Sequence, residues 1–126
     1  MCIRDRYNDL YGHVAGDGCI EAISQVLVQH TEADDYCIRY GGEEFVVLCF
    51  GKSRKEIAQM AETIREQVVG LGLEHKNARY GDLVTVSIGA FLGYPTSESR
   101  LNDYIEKADA ALYEAKRAGK NRVIFS

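Results

Sequence analysis

Two adjacent glycines and two adjacent glutamates, Gly41-Gly42-Glu43-Glu44, lie between two apolar segments. Glycine has no Cβ atom, so this backbone would let a phosphate or a nucleotide approach closely. Successive side chains of a strand point to opposite faces, and one of the two carboxylates could therefore bind Mg²⁺ through its oxygen atoms. By itself, such a motif is more often the solvated tip of a hairpin with acidic edge residues.

The segments on both sides of this motif predict a β-hairpin. Residues 36–40 are mostly aromatic or apolar, and residues 45–50 are continuously apolar, which is typical of a strand buried on both faces. Gly-Gly is a common turn dipeptide between such strands. The chemistry-bearing residues are therefore expected at a hairpin tip.

Three helices are predicted around the hairpin. Apolar residues follow helical spacing over residues 18–30, where Asp17 can act as the N-cap. Ser53 and Glu56 form a capping box ahead of an apolar stripe that extends to Leu71. The third helix is predicted over residues 100–118, with Gly119 as its C-cap.

Two further strands complete the expected architecture. Residues 84–92 alternate between apolar and mostly polar or small side chains, and residues 123–125 form a short final strand. The order helix, hairpin, helix, strand, helix, strand is α+β, with helices packed on a mostly antiparallel sheet. A ferredoxin-like layout requires one more strand before the first helix, and residues 1–6 are not predicted to supply it.

Composition limits the possible functions. The 126 residues predict one ordered domain, and a net charge of −4 with a pI near 5.4 argues against nucleic-acid or membrane-surface partners. The longest apolar run has six residues, far short of the roughly 20 that a membrane helix needs. Residues 1–6 lack the apolar region of a secretory signal, so we expect a cytoplasmic location. The four scattered cysteines are expected to be reduced and mostly in the core.

Several stretches together resemble the GGDEF domain family, the diguanylate cyclases, with Gly41-Gly42-Glu43-Glu44-Phe45 as the signature hairpin. The resemblance covers roughly residues 7–125, and the matching stretches fall in the family's order and spacing. They are residues 8–13, 16–17, 39–45, 85–89, 108–116 and 119–122.

The resemblance implies an activity, a cofactor and partners. The implied reaction condenses two GTP molecules into cyclic di-GMP with release of pyrophosphate, in bacterial second-messenger signalling. Mg²⁺ (or Mn²⁺) would be the cofactor, and each GTP would be held by one subunit of an antiparallel homodimer that pairs two active sites. An upstream sensory or regulatory domain is expected. The implied fold is a ferredoxin-like, nucleotidyl-cyclase palm-type sheet with flanking helices and, in this chain, a missing first strand.

The resemblance also assigns roles at the hairpin. Glu43 matches the family's metal-binding and catalytic carboxylate, and Glu44 beside it is a second ligand or a positioning group. Gly41 and Gly42 would lie against the nucleotide.

Other matching residues would bind the rest of GTP. Asn8 and Asp17 match the pair that reads guanine, although Asp17 could act only as a helix N-cap. Lys116 and Lys120 match the positions that hold the triphosphate, although lysines at a helix C-terminus are also favoured by the helix dipole. Lys120 stands where the family often has arginine, which would replace a bidentate phosphate contact by a point charge.

The chain departs from the family pattern in two places. The family's first strand ends in Asp-x-Asp, and counting back from Asn8 puts the metal-binding aspartate before Met1. We therefore expect residues 1–6 to be non-matching, residues 7–126 to be a GGDEF domain incomplete at its N-terminus, and this fragment to be inactive by itself. The usual Arg-x-x-Asp product-inhibition motif is replaced by Glu32 to Asp35, which predicts that product inhibition is absent.

Two alternatives to a cyclase stay open at the level of sequence. One is a non-catalytic GGDEF module that binds GTP to regulate an attached domain. The other is a ferredoxin-like interaction domain that binds no nucleotide.

Overall fold

The computed structural model describes the backbone of residues 2–6, 13–41, 44–73 and 84–126, and the side chains of residues 18–39, 44–73 and 84–126. These ranges contain three helices and five strands. They are β1 (Cys2–Arg6), α1 (His13–Gln29), β2 (Tyr36–Gly41), β3 (Glu44–Leu48), α2 (Arg54–Gly70), β4 (Ser87–Phe91), α3 (Leu101–Arg117) and β5 (Val123–Phe125).

The described strands form one sheet in the order β2-β3-β1-β4-β5. All neighbours are antiparallel except β4 and β5, which are parallel. The predicted α+β class, with helices on a mostly antiparallel sheet, is confirmed. The predicted hairpin and the predicted final strand are present as well.

The first strand is present, and the prediction that it is missing is wrong. Cys2–Arg6 forms β1 at the centre of the sheet, where it pairs with β3 on one side and β4 on the other. A strand is held by hydrogen bonds of its backbone, so the neighbouring edges of β3 and β4 can accept a segment whose side chains show no clear pattern. The proposed domain boundary at Tyr7 stays a prediction.

The two faces of the sheet have separate apolar layers. On one face, α1 and α2 pack through Ile23 and Ile64 against Phe45 and Val47 of β3. On the other face, Ala108 of α3 packs against Val46 of the same strand. Successive side chains of β3 point to opposite faces of the sheet, so this strand contributes apolar residues to both layers, as its continuously apolar sequence predicts.

Helix boundaries follow local signals in α2 and depart from them in α1. Ser53 is the N-cap of α2, and its Oγ accepts a hydrogen bond from the amide of Glu56 at 3.2 Å. Helix α1 begins at His13, earlier than predicted, because packing of its apolar face overrides the low helix propensity of Gly16 and Gly18.

The described cysteines agree with the sequence prediction. Cys19, Cys37 and Cys49 carry reduced thiols, with Cys19 and Cys49 buried. Burial, followed by the nearby charge of Asp35, raises the pKa of the Cys49 thiol to about 12. Within the described part of the chain, no helix has both the length and the apolar content needed to cross a membrane.

Candidate functional site

One end of the sheet holds two residues that the sequence singled out, Gly41 and Glu44. The register places Glu44 of β3 opposite Gly41 of β2, and Arg6 of β1 opposite both Glu44 and Ser87 of β4. The ends of four neighbouring strands therefore meet here, next to the tip of the hairpin.

Two residues of the Gly-Gly-Glu-Glu motif, Gly41 and Glu44, are among the described residues. Strand β2 ends at Gly41 after an irregularity in register between Arg39 and Gly41, and β3 begins at Glu44, whose side chain is half-buried. Gly42 and Glu43 lie outside the described residues, so their predicted roles stay predictions.

Helix α1 begins at His13, seven positions after β1 ends at Arg6. Asp17 is the fifth residue of α1. The prediction that Asp17 could act as an N-cap is therefore wrong, because an N-cap precedes the first helical turn. Asn8, its predicted partner in reading guanine, lies outside the described residues.

The C-terminal end of α3 reaches the same end of the sheet. Gly89 of β4 lies so close to α3 that a Cβ atom there would overlap the backbone of Ala108 and Leu112. One turn after Leu112, Lys116 is half-buried, and Lys120 follows in the exposed turn after the helix. The amide of Ile88 donates to the carbonyl of Arg122 at 3.0 Å, which fixes this turn beside the start of β4.

Comparison with known proteins identifies the family. The family model described as "Diguanylate cyclase, GGDEF domain" matches residues 5–122. The chain belongs to the GGDEF domain family.

Individual GGDEF proteins are similar over nearly the whole chain. Diguanylate cyclase A of Treponema denticola is 37% identical over 119 residues, which are 94% of this chain and 31% of that protein. Diguanylate cyclase DosC of Escherichia coli K12 is 41% identical over 119 residues, which are 92% of this chain and 25% of that protein. The chain thus spans about a quarter to a third of the length of these relatives.

Solved structures show the same fold. The GGDEF domain of DgcB from Caulobacter crescentus, in complex with c-di-GMP, superposes with a TM-score of 0.82 at 30% identity, covering 98% of this chain and 76% of that one. The active GGEEF domain of a diguanylate cyclase from Vibrio cholerae has a TM-score of 0.79 at 24% identity, covering 98% and 80% of the two chains. The second likeness supports the fold alone.

A Mg²⁺ (or Mn²⁺) ion is compatible with the donor chemistry of this GGDEF hairpin. Carboxylates such as those of Glu43 and Glu44 are the kind of oxygen donor that Mg²⁺ prefers, and the ion is usually bound by one or two carboxylates together with substrate phosphates. Among the side chains that the structure describes, no group of three or more His, Cys, Asp or Glu could hold a metal.

The segment from Glu32 to Asp35 lies at the opposite end of β2 from the hairpin tip. Asp35 accepts hydrogen bonds from the amides of Glu32 at 3.0 Å and Phe50 at 3.3 Å. Glu32 forms an ion pair with Lys52 at 3.0 Å. Both carboxylates have partners within the protein, and the absence of product inhibition stays a prediction.

Sequence reasoning missed one contact near the site. Nη1 of Arg65 on α2 donates to Oδ1 of Asn121 in the turn after α3, at 2.9 Å. The two residues are 56 positions apart. Local spacing gives no signal for such a pair, and only the docking of α2 beside that turn brings it together.

Proposed function

We propose that this domain is a diguanylate cyclase that condenses two GTP molecules into cyclic di-GMP and pyrophosphate. The observation that supports it best is the meeting of the hairpin and the end of α3 at one end of the sheet. Family membership and the similarity to a domain solved with c-di-GMP add to this support.

In the proposed mechanism, the chain binds and aligns the nucleotide. Phosphoryl transfer depends mainly on positioning the attacking hydroxyl and stabilising charge. Gly41 and Gly42 would let the nucleotide approach the hairpin backbone, and Lys116 and Lys120 would bind its phosphates. Both lysines are at the end of α3 that faces the hairpin end of the sheet.

The base would be selected by Asn8 and Asp17. Guanine presents donors and an acceptor on its Watson–Crick edge, which an amide and a carboxylate together can match. The position of Asp17 inside α1 favours this role over a capping role.

Glu43, with Glu44 as second ligand or positioning group, would hold Mg²⁺ (or Mn²⁺). When bound, such an ion neutralises phosphate charge and stabilises the transferring group. In this proposal Glu43 is also the catalytic carboxylate.

The partners follow from the reaction. Each subunit would hold one GTP, so the complete site would be an antiparallel homodimer that brings two half-sites together. An upstream sensory or regulatory domain would control that pairing, and the substrate GTP is consistent with a cytoplasmic location. No nucleic-acid partner and no membrane contact of this domain are proposed.

Glu43→Gln tests the proposed function. An amide is a poor Mg²⁺ ligand and cannot accept a proton, so cyclic di-GMP synthesis should fall by at least about 10²-fold. The measurement is chromatography of products made from GTP and Mg²⁺ by the chain extended upstream with the family's Asp-x-Asp, because the 126 residues alone are expected to be inactive.

Glu98→Gln is the matched control, because Glu98 is exposed in the turn at the other end of β4. It should keep full activity. Normal synthesis by Glu43→Gln would contradict the assignment of Glu43, and GTP binding without any product from the unmodified protein would favour the non-catalytic module.

A further inference from the structure

The turn after α3 has an unusual backbone conformation. Gly119, Lys120 and Asn121 have φ angles of 123°, 63° and 46°. Positive φ is easy for glycine, tolerated by asparagine and unfavourable for lysine, so the surrounding contacts must hold Lys120 in place. Its amide donates to the carbonyl of Ala115 at 3.0 Å, which closes the turn onto the last turn of α3.

One side chain of α2 is joined to this turn. Nη1 of Arg65 donates to Oδ1 of Asn121 at 2.9 Å. The other side of the guanidinium is held by Glu62, whose Oε1 accepts from Nε at 2.9 Å and from Nη2. The Arg65 side chain is only 19% exposed. Because the guanidinium is planar and its donors are fixed, Glu62 sets the direction in which Arg65 reaches Asn121.

The contact acts on the residue next to Lys120. Asn121 is the second of two consecutive non-glycine residues with positive φ. A hydrogen bond that restrains its side chain also restrains the backbone between it and Gly119. The conformation of Lys120 therefore depends on a contact made by another helix.

We infer that Arg65 is a positioning residue, which holds the turn so that Lys120 is presented beside Lys116 to the phosphates of GTP. The inference rests on the proposed function, which assigns Lys120 to the triphosphate. Arg65 would position Lys120 indirectly, through its hydrogen bond to the side chain of Asn121. A purely structural contact between α2 and the turn would stabilise the fold without any special link to Lys120.

The kinetic test uses the same extended chain, with GTP as the substrate. Arg65→Ala should raise KM for GTP by about tenfold and change kcat by less than about threefold, because binding contacts are misplaced while the reacting groups stay. Asn121→Ala should likewise raise KM for GTP and leave kcat nearly unchanged. Asn121→Asp should keep KM near its original value, since a carboxylate accepts from Arg65 and aspartate tolerates positive φ.

A double-mutant cycle then links Arg65 to Lys120. In a Lys120→Ala background, adding Arg65→Ala should raise KM no further, because the group being positioned is already absent. If the two effects on KM multiply independently, Arg65 does not act through Lys120 and the inference is overturned.

Arg54→Ala is the matched control on the same helix. The Arg54 guanidinium lies 4.3 Å from the ring centroid of Phe125, so its removal weakens a contact between α2 and β5 away from the turn. This variant should leave KM unchanged. A rise in KM equal to that of Arg65→Ala would show a general effect of loosening α2 and would overturn the inference.

Amide hydrogen exchange provides a readout independent of activity. Protection of the Lys120 amide should be lost in Arg65→Ala and kept in Arg54→Ala. Retained protection in Arg65→Ala overturns the inference even if the protein is an active cyclase. Lack of synthesis by the unmodified protein contradicts the proposed function alone, and the exchange result still decides whether Arg65 holds the turn.

Discussion

The position of Asp17 within α1 separates two roles that a carboxylate near a helix start can have. At an N-cap it would accept a hydrogen bond from an amide of the first turn and stabilise the helix by about 1 kcal/mol. As the fifth residue of α1, Asp17 has the first turn behind it, where the helix dipole has largely decayed. Its replacement should therefore affect ligand recognition more than stability.

We expect Asp17→Asn to weaken GTP binding and to reduce discrimination against ATP, because an amide offers one acceptor to the two donors of guanine. The unfolding midpoint in urea should change little. Calorimetric titration with GTP and ATP measures the selectivity. Glu21→Gln, one turn later in the same helix, is the control and should keep the selectivity for GTP over ATP. Unchanged selectivity in Asp17→Asn would show that Asp17 does not bind guanine.

At the scale of elements, the position of α3 depends on a glycine in β4. The backbone of Ala108 and Leu112 occupies the space where a Cβ of Gly89 would be. This close approach lets α3 lie along β4 and brings Lys116 to the hairpin end of the sheet. A methyl group at Gly89 would push the helix away along its whole contact with the strand.

Gly89→Ala should therefore destabilise the domain by about 2–3 kcal/mol or more, the scale of overpacking a close-packed interface. Gly18→Ala is the matched control, because Gly18 is helical and a Cβ there meets no atom within 4 Å. That variant should stabilise the domain by about 0.5–1 kcal/mol. Urea unfolding of both variants measures the free energies, and equal effects of the two would show that the packing of α3 on β4 is looser than described.

The elements that could be predicted from sequence are those with local signals. The Gly-Gly turn predicts the hairpin, and Ser53 with Glu56 predicts the start of α2, because the interacting atoms are a few residues apart. The start of α1 could not be predicted, since Gly16 and Gly18 have low helix propensity and only packing makes this segment helical. The contact between Arg65 and Asn121 could not be predicted either, because it depends on how two helices dock.

At the scale of the whole molecule, β1 joins two halves of the sheet. The hairpin of β2 and β3 lies on one side, and β4 with β5 lies on the other. Arg4 pairs with Val46 in one half and with Gly89 in the other. The sequence does not predict this strand, because its partners are some 40 and 85 positions away and its own side chains show no alternation. The cooperativity of folding should depend on it.

Arg4→Pro tests this dependence, with Arg4→Ala as the matched control. Because β1 has neighbours on both sides, each of its amides faces a strand, and proline removes one of those donors and leaves a buried acceptor unsatisfied. Arg4→Pro should lower the free energy of unfolding by about 1–3 kcal/mol or more and broaden the urea transition. Arg4→Ala removes the same side chain, keeps the backbone donor and should unfold cooperatively. If both variants unfold alike, residues 2–6 are not the central strand, and β3 and β4 must be held together by the helices alone.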